Sequence, residues 1–184
     1  MTIRQATIQD IDALLQLQEK YHVSKLTEAE KQEKGFVTMW ITAEQWAELA
    51  QRGGIYIAVS DDNQLAAYAL KTDWAYASQW AIINRMEEVL ATFLFDNQII
   101  TIENSCHYGP VCIDEAFRGR TILTQLFEAI QKASSSDFPF VLTFINRQNE
   151  RSLRAHAKKT PLSIVGDFDF KDNQYAALVC KTND

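Results

Sequence analysis

Glycine is scarce in this chain: 184 residues carry only 6, at positions 35, 53, 54, 109, 119 and 166. That scarcity excludes a G-x-G-x-x-G dinucleotide loop, a G-x-x-x-x-G-K-[ST] phosphate loop and a G-x-S-x-G nucleophile elbow. Histidine is equally thin. The 3 present (His22, His107, His156) are scattered, and H-E-x-x-H is missing, so spacing suggests no metal site. The 3 cysteines, Cys106, Cys112 and Cys180, are odd in number and lack paired short spacings, which fits reduced thiols in a reducing cytosol. No run approaches the roughly 18 apolar residues that cross a bilayer, and the opening MTIRQATIQD has no apolar leader core. A soluble, cytoplasmic protein is expected.

Positive charge is also in deficit, with 18 Lys plus Arg against 24 Asp plus Glu and a net charge of -6. An acidic surface repels phosphate backbones and anionic lipid head groups, so nucleic acid and membrane are disfavoured as partners. What the chain does have is apolar and aromatic material, 47% and 11% of its residues. A chain this long buries roughly 70% of its unfolded surface, so it needs no metal or disulfide to hold together. One domain over residues 1–184 is expected, with a helical insertion near 74–95.

The apolar periodicity predicts a mixed α/β order. A strand over 2–7 precedes a helix carrying Ile11, Leu14, Leu15, Leu17 and Tyr21, then a polar stretch over 24–35 that reads as a solvated loop or helix rim. Residues 36–50 return to helical pattern, and 55–60 with 65–70 form a hairpin around Asp61-Asp62-Asn63. One long helix is expected over 74–95, and a strand near 99–103. The apolar run 106–114 is broken by Gly109-Pro110, which suggests a bulge or splay. A parallel crossover then runs from the strand near 111, through a helix carrying Ile122, Leu126 and Ile130, to a strand over 138–145. Asn149 opens a helix that must stop near Thr160 because Pro161 follows, and 163–168 with 174–181 close the chain as a hairpin.

Two segments carry chemistry. Between Val111 and Leu126 the chain reads as strand, tight basic turn and helix start, a build that aims free N–H groups and a positive helix dipole at one point and so binds phosphate or pyrophosphate. Arg118 and Arg120 add local positive charge there, or are simply a solvated turn. In the second segment Asn149, Ser152 and His156 are three and four apart and share one helix face. The plain alternative makes Asn149 an N-cap and His156 a surface histidine.

Together these segments resemble the GNAT acetyltransferase superfamily, whose consensus is Arg/Gln-x-x-Gly-x-Gly/Ala after the fourth strand and Asn-x-x-Ser/Ala in a later helix, with Tyr or His four residues beyond. Arg118, Gly119, Asn149, Ser152 and His156 match; Thr121 and Leu123 stand where family members carry Gly and Gly or Ala. The resemblance implies an α/β single-domain fold with a mixed central sheet splayed between its fourth and fifth strands and flanked by helices. It implies acetyl-CoA as cosubstrate, no metal, and transfer of the acetyl group to a primary amine of a small molecule or a peptide. The pyrophosphate would meet Arg118, Gly119, Arg120, Thr121, Ile122 and Leu123. Pantetheine would pair with Val111, Cys112 and Ile113, beside Asn149 and Ser152. His156 would be the general acid and Glu103 the candidate base, while Phe36, Trp40 and Tyr76 fall in regions that shape the acceptor pocket or else belong to the core. Homodimers are frequent in the superfamily. The departures at Thr121 and Leu123 motivate the competing reading, a non-catalytic acyl-CoA binding or sensing domain with a degenerate pyrophosphate loop.

Overall fold

Short β-branched and aromatic runs alternate with capped helices along the computed structural model, which describes residues 1–183. In chain order the elements are β1 (Thr2–Gln5), α1 (Ile11–Tyr21), α2 (Glu28–Lys34), α3 (Ala43–Gln51), β2 (Ile55–Val59), β3 (Leu65–Thr72), α4 (Trp74–Ala77) and α5 (Ala81–Val89). There follow β4 (Leu94–Phe95), β5 (Gln98–Ile99), β6 (Ser105–Ile113), α6 (Ile122–Ser134), β7 (Phe140–Asn146), α7 (Glu150–Lys159), β8 (Ser163–Phe170) and β9 (Asn173–Lys181). Hydrogen-bonded neighbours in the main sheet run β1-β2-β3-β6-β7-β9-β8. The fold is α/β, a mixed sheet flanked by helices.

The chain divides into two compact units, Met1–Lys71 with Pro110–Ile130, and Thr72–Gly109 with the chain from Gln131 onward. In the first, β1 and β2 pair antiparallel from Thr2↔Val59 to Gln5↔Tyr56, and β2 turns back into β3 through Asn63 at φ 60. The Asp114 amide donates to the Ala66 carbonyl at 2.9 Å, which ties the end of β6 to β3. Leu14, Ile41, Trp46, Ile57 and Tyr68 are fully buried in this unit. In the second unit β6 and β7 run parallel through Ser105↔Phe140, Cys106↔Val141 and His107↔Leu142. That register ends just ahead of Gly109, at φ 111, and Pro110, which has no N–H to offer a ladder. β7 pairs antiparallel with β9 along its whole length, from Phe140↔Lys181 to Asn146↔Tyr175.

Three local expectations are corrected, and the open choice at 24–35 between loop and helix rim falls to the helix. Residues 28–34 are helical, although they have no apolar stripe, because Thr27 and Glu30 form a capping box and Lys31–Glu28 and Lys34–Glu30 pair along the helix. Helix over 36–50 is confined to α3, since the Thr42–Gln45 capping box starts it late and Val37 is held extended by a parallel bridge to His22. The long helix over 74–95 is broken into α4 and α5: the Ser78 hydroxyl bonds back to the Ala75 carbonyl at 2.8 Å, and Trp80 is extended at φ -100, ψ 122. The strand near 99–103 is only the second arm of a two-residue hairpin, turned by Asp96 and Asn97 at φ 52 and 60. After it, Asn104 accepts from the Thr101 amide at 2.8 Å, closing a turn that contains Glu103.

Candidate functional site

In the first unit the candidate site is the passage from β6 into α6. Cys112 is buried while Val111 and Ile113 are half-buried. Asp114 caps the single turn Glu115–Phe117 by accepting from the Ala116 amide at 3.0 Å. Burial pushes the Asp114 carboxyl up, but the Lys20 ammonium at 2.9 Å and the Ala116 N–H outweigh it, and the group sits below the usual carboxylate range. Tyr21 completes the brace, its hydroxyl accepting from the Glu115 amide at 2.8 Å.

Arg118 is built into this brace. Its Nε donates to the Ile113 carbonyl at 3.0 Å, and its guanidinium carbon lies 4.9 Å from the centre of the Tyr21 ring. The Ile113 carbonyl is thereby engaged from within the protein. Arg120 lies 5.6 Å over the Phe117 ring. Gly119 between them has φ +81, and a Cβ built there would meet nothing within 4 Å. The backbone angle, and not crowding, is what asks for glycine.

Thr121 is exposed and its carbonyl accepts from the Gln125 amide at 3.0 Å, so α6 starts on it. The first amides of any helix have no intrahelical acceptor, and they carry the positive end of the dipole. Ile122 and Leu123 are 2% and 3% exposed. Leu123, where the family pattern has a small residue, therefore spends its side chain on burial and leaves little of it at the surface of the turn.

In the second unit, Asn146 at the end of β7 accepts from the Gln148 amide at 2.9 Å, and the Asn149 amide returns to the Asn146 carbonyl at 2.8 Å. Asn149 is the N-cap of α7, its side chain accepting from the Ser152 amide at 3.3 Å. His156 Nδ1 lies 2.9 Å from the Ser152 carbonyl and 3.3 Å from its hydroxyl. A carbonyl only accepts, so the Nδ1 proton is placed and Nε2 presents a lone pair. The three residues taken to share a face do form one linked set, and His156 is 5% exposed, not a surface histidine. Burial lowers its pKa, and its ring stands edge-on to Tyr108 at 5.9 Å.

The other sequence candidates lie as follows. Glu103 is exposed in the turn before β6. Phe36 is half-buried and Trp40 is 43% exposed, both on the extended stretch ahead of α3. Tyr76 is buried in α4, its ring 5.8 Å from that of Trp80. Lys20 and Tyr21 hold the basic turn through contacts across 94 residues, which leave no local spacing to read in the sequence. His107 is 2% exposed, 3.3 Å from the Thr72 hydroxyl and packed among Trp74 and Phe144, and burial pushes it down to about 4. Among the described residues, no group of His, Cys, Asp and Glu is arranged to hold a metal ion, and no helix is long and apolar enough to cross a membrane.

No family model matches the sequence, and no curated protein matches it. Solved structures do match in fold. A GNAT-family acetyltransferase from Streptococcus agalactiae is similar at TM-score 0.67 and 18% identity, over 98% of this chain and 94% of that one. A putative acetyltransferase from Salmonella typhimurium, solved with acetyl-CoA, is similar at 0.64 and 14%, over 98% and 93%. A GNAT superfamily phosphinothricin acetyltransferase from Sinorhizobium meliloti, in complex with acetyl-CoA, is similar at 0.62 and 14%, over 98% and 87%. By backbone and element order, the chain has the fold of the GNAT acetyltransferases.

Proposed function

We propose that the chain is an acetyl-CoA-dependent N-acetyltransferase that acetylates a primary amine of a small molecule or a peptide. The observation that carries this reading is the strand, braced turn and helix of 111–126, with Gly119 at φ +81 opening onto space within 4 Å. Such a turn suits a pyrophosphate: backbone N–H groups of 119–123 supply directional donors, and Arg120 and Arg118 supply charge. Thr121 adds a hydroxyl. Leu123, being buried, does not bar the approach. The backbone of Val111 and Cys112 is the part of β6 suited to the amides of a pantetheine arm, since the Ile113 carbonyl already serves Arg118.

The acetyl group arrives as a thioester, already activated. The chain then has to deliver a neutral amine to it and let a thiolate leave. His156, which the resemblance makes the general acid, is not set up to donate. Its proton is held on Nδ1 by Ser152, so Nε2 accepts; donation would need the imidazolium, which burial disfavours. We assign His156 a positioning role: its Nδ1–H bond to the Ser152 carbonyl, with the Asn149 cap, fixes the first turns of α7. Glu103, being exposed, would take the amine proton through water.

The test is release of thiol from acetyl-CoA over a panel of amines, alongside calorimetry with coenzyme A. Amine-dependent release supports the reading. Heat of binding without release for any amine would replace it with the sensing domain, and neither heat nor release would overturn coenzyme binding itself.

A further inference from the structure

The single turn Val23–Lys25 follows α1, and His22 caps it. Main-chain bonds pin this segment to the stretch before α3, with Val23 N–H donating to the Val37 carbonyl and Val37 N–H to the Tyr21 carbonyl, both at 2.9 Å. The half-buried His22 ring has Nε2 3.3 Å from the Thr38 carbonyl. A carbonyl cannot donate, so the ring proton sits on Nε2 and Nδ1 is a lone pair. Ser24 Oγ lies 2.7 Å from that lone pair, with the Ser24 amide at 3.3 Å. The hydroxyl must therefore donate to His22, which leaves its oxygen lone pairs turned elsewhere on an exposed residue. Beside the imidazole stands Trp40, 43% exposed and edge-on at 5.1 Å between ring centres, an apolar surface next to the pair.

We propose that Ser24 is a histidine-activated nucleophile that accepts an acyl group from an activated carboxylic ester or thioester, with His22 as base and the Thr38 carbonyl as its orienter. Hydroxyl, imidazole and third group stand in the order that nucleophilic catalysis uses. Ser24 Oγ bonds to the acyl carbon as its proton passes to His22 Nδ1. The bond from that carbon to the leaving oxygen or sulfur then breaks, and the leaving group takes the proton from Nδ1. The products are O-acyl-Ser24 and a phenol or thiol, with nothing oxidised or reduced. Burial, together with the nearby Lys25, holds His22 below its ordinary pKa, so the base is neutral near pH 7; Lys25 itself is paired with Glu19 at 3.4 Å. The Val23 and Lys25 amides are committed to the carbonyls of Val37 and His22. They supply no oxyanion hole, so a single slow acylation is expected in place of rapid turnover.

The experiment treats the full chain with 4-nitrophenyl acetate, and in a separate arm with acetyl-CoA, followed by intact mass and peptide mapping. One acetyl per chain is expected, on the peptide carrying Ser24, and lost in Ser24→Ala. His22→Asn keeps a side-chain acceptor for the turn but is not a base. It should react at least about tenfold more slowly, with the native fold retained by circular dichroism at the assay temperature. Modification in the aryl ester arm alone assigns the site to activated esters, and modification in both extends it to thioesters. Adducts spread over lysines with Ser24 untouched, or a His22→Asn protein that reacts as fast as the native one, overturn the proposal.

Discussion

At Arg118 one guanidinium does two jobs, because its Nε is spent on the Ile113 carbonyl and its plane on Tyr21 while its charge stays beside the turn. Arg118→Ala is therefore expected to cost about 1 kcal/mol of stability as well as weakening coenzyme A binding by about 1 to 3 kcal/mol. Arg118→Lys restores charge but cannot both stack and bridge. Calorimetry and denaturant melts on the two variants should separate the terms, with lysine recovering affinity more than stability. His156 makes the second prediction at this scale. Nitrogen-15 shifts of its ring near neutral pH are expected to report a neutral imidazole protonated on Nδ1. An Nε2-protonated ring would return it to the donor role. The residue-level reading of α7 was legible because a helix fixes which of Asn149, Ser152 and His156 can meet. The proton position was not, since it depends on a carbonyl one turn back and on burial.

The turn and the helix that follows it behave as one element. Gly119→Ala places a Cβ at φ +81 where there is room for it, so the cost is backbone strain, about 1 to 2 kcal/mol, read as a lower melting midpoint. Leu123→Gly tests the family pattern directly. With Leu123 3% exposed, the change should destabilise the chain by about 3 to 5 kcal/mol, with no gain in coenzyme affinity. Urea unfolding of the variant checks the first part and calorimetry with coenzyme A the second. Elements with a full apolar period, such as α1, α6 and the β2–β3 hairpin, could be read from the chain. α2 could not, because its helix rests on the Thr27–Glu30 box and on ion pairs, which leave no apolar period. Nor could the break between α4 and α5, where Trp80 keeps the apolar spacing of a helix but stands outside one as the residue before α5.

Over the whole molecule, acidity is expected to act through the buried histidines, and His107 is the one whose share can be sized. Folding lowers its pKa from 6.5 to about 4, so between those values the unfolded chain binds the extra proton. The stability present above pH 6.5 is then lost as pH falls toward 4, by roughly 3 kcal/mol from this one group. His107→Phe should flatten that limb, seen as a smaller difference between urea midpoints at pH 7 and pH 4.5 than in the native chain. The three cysteines are all buried and unbridged, with Cys112 in one compact unit and Cys106 and Cys180 in the other. Thiol alkylation then becomes a clock on local opening. Each sulfur can react only when its own unit breathes, so the lag between labelling at Cys112 and at the other pair would measure whether the two units open together or one at a time.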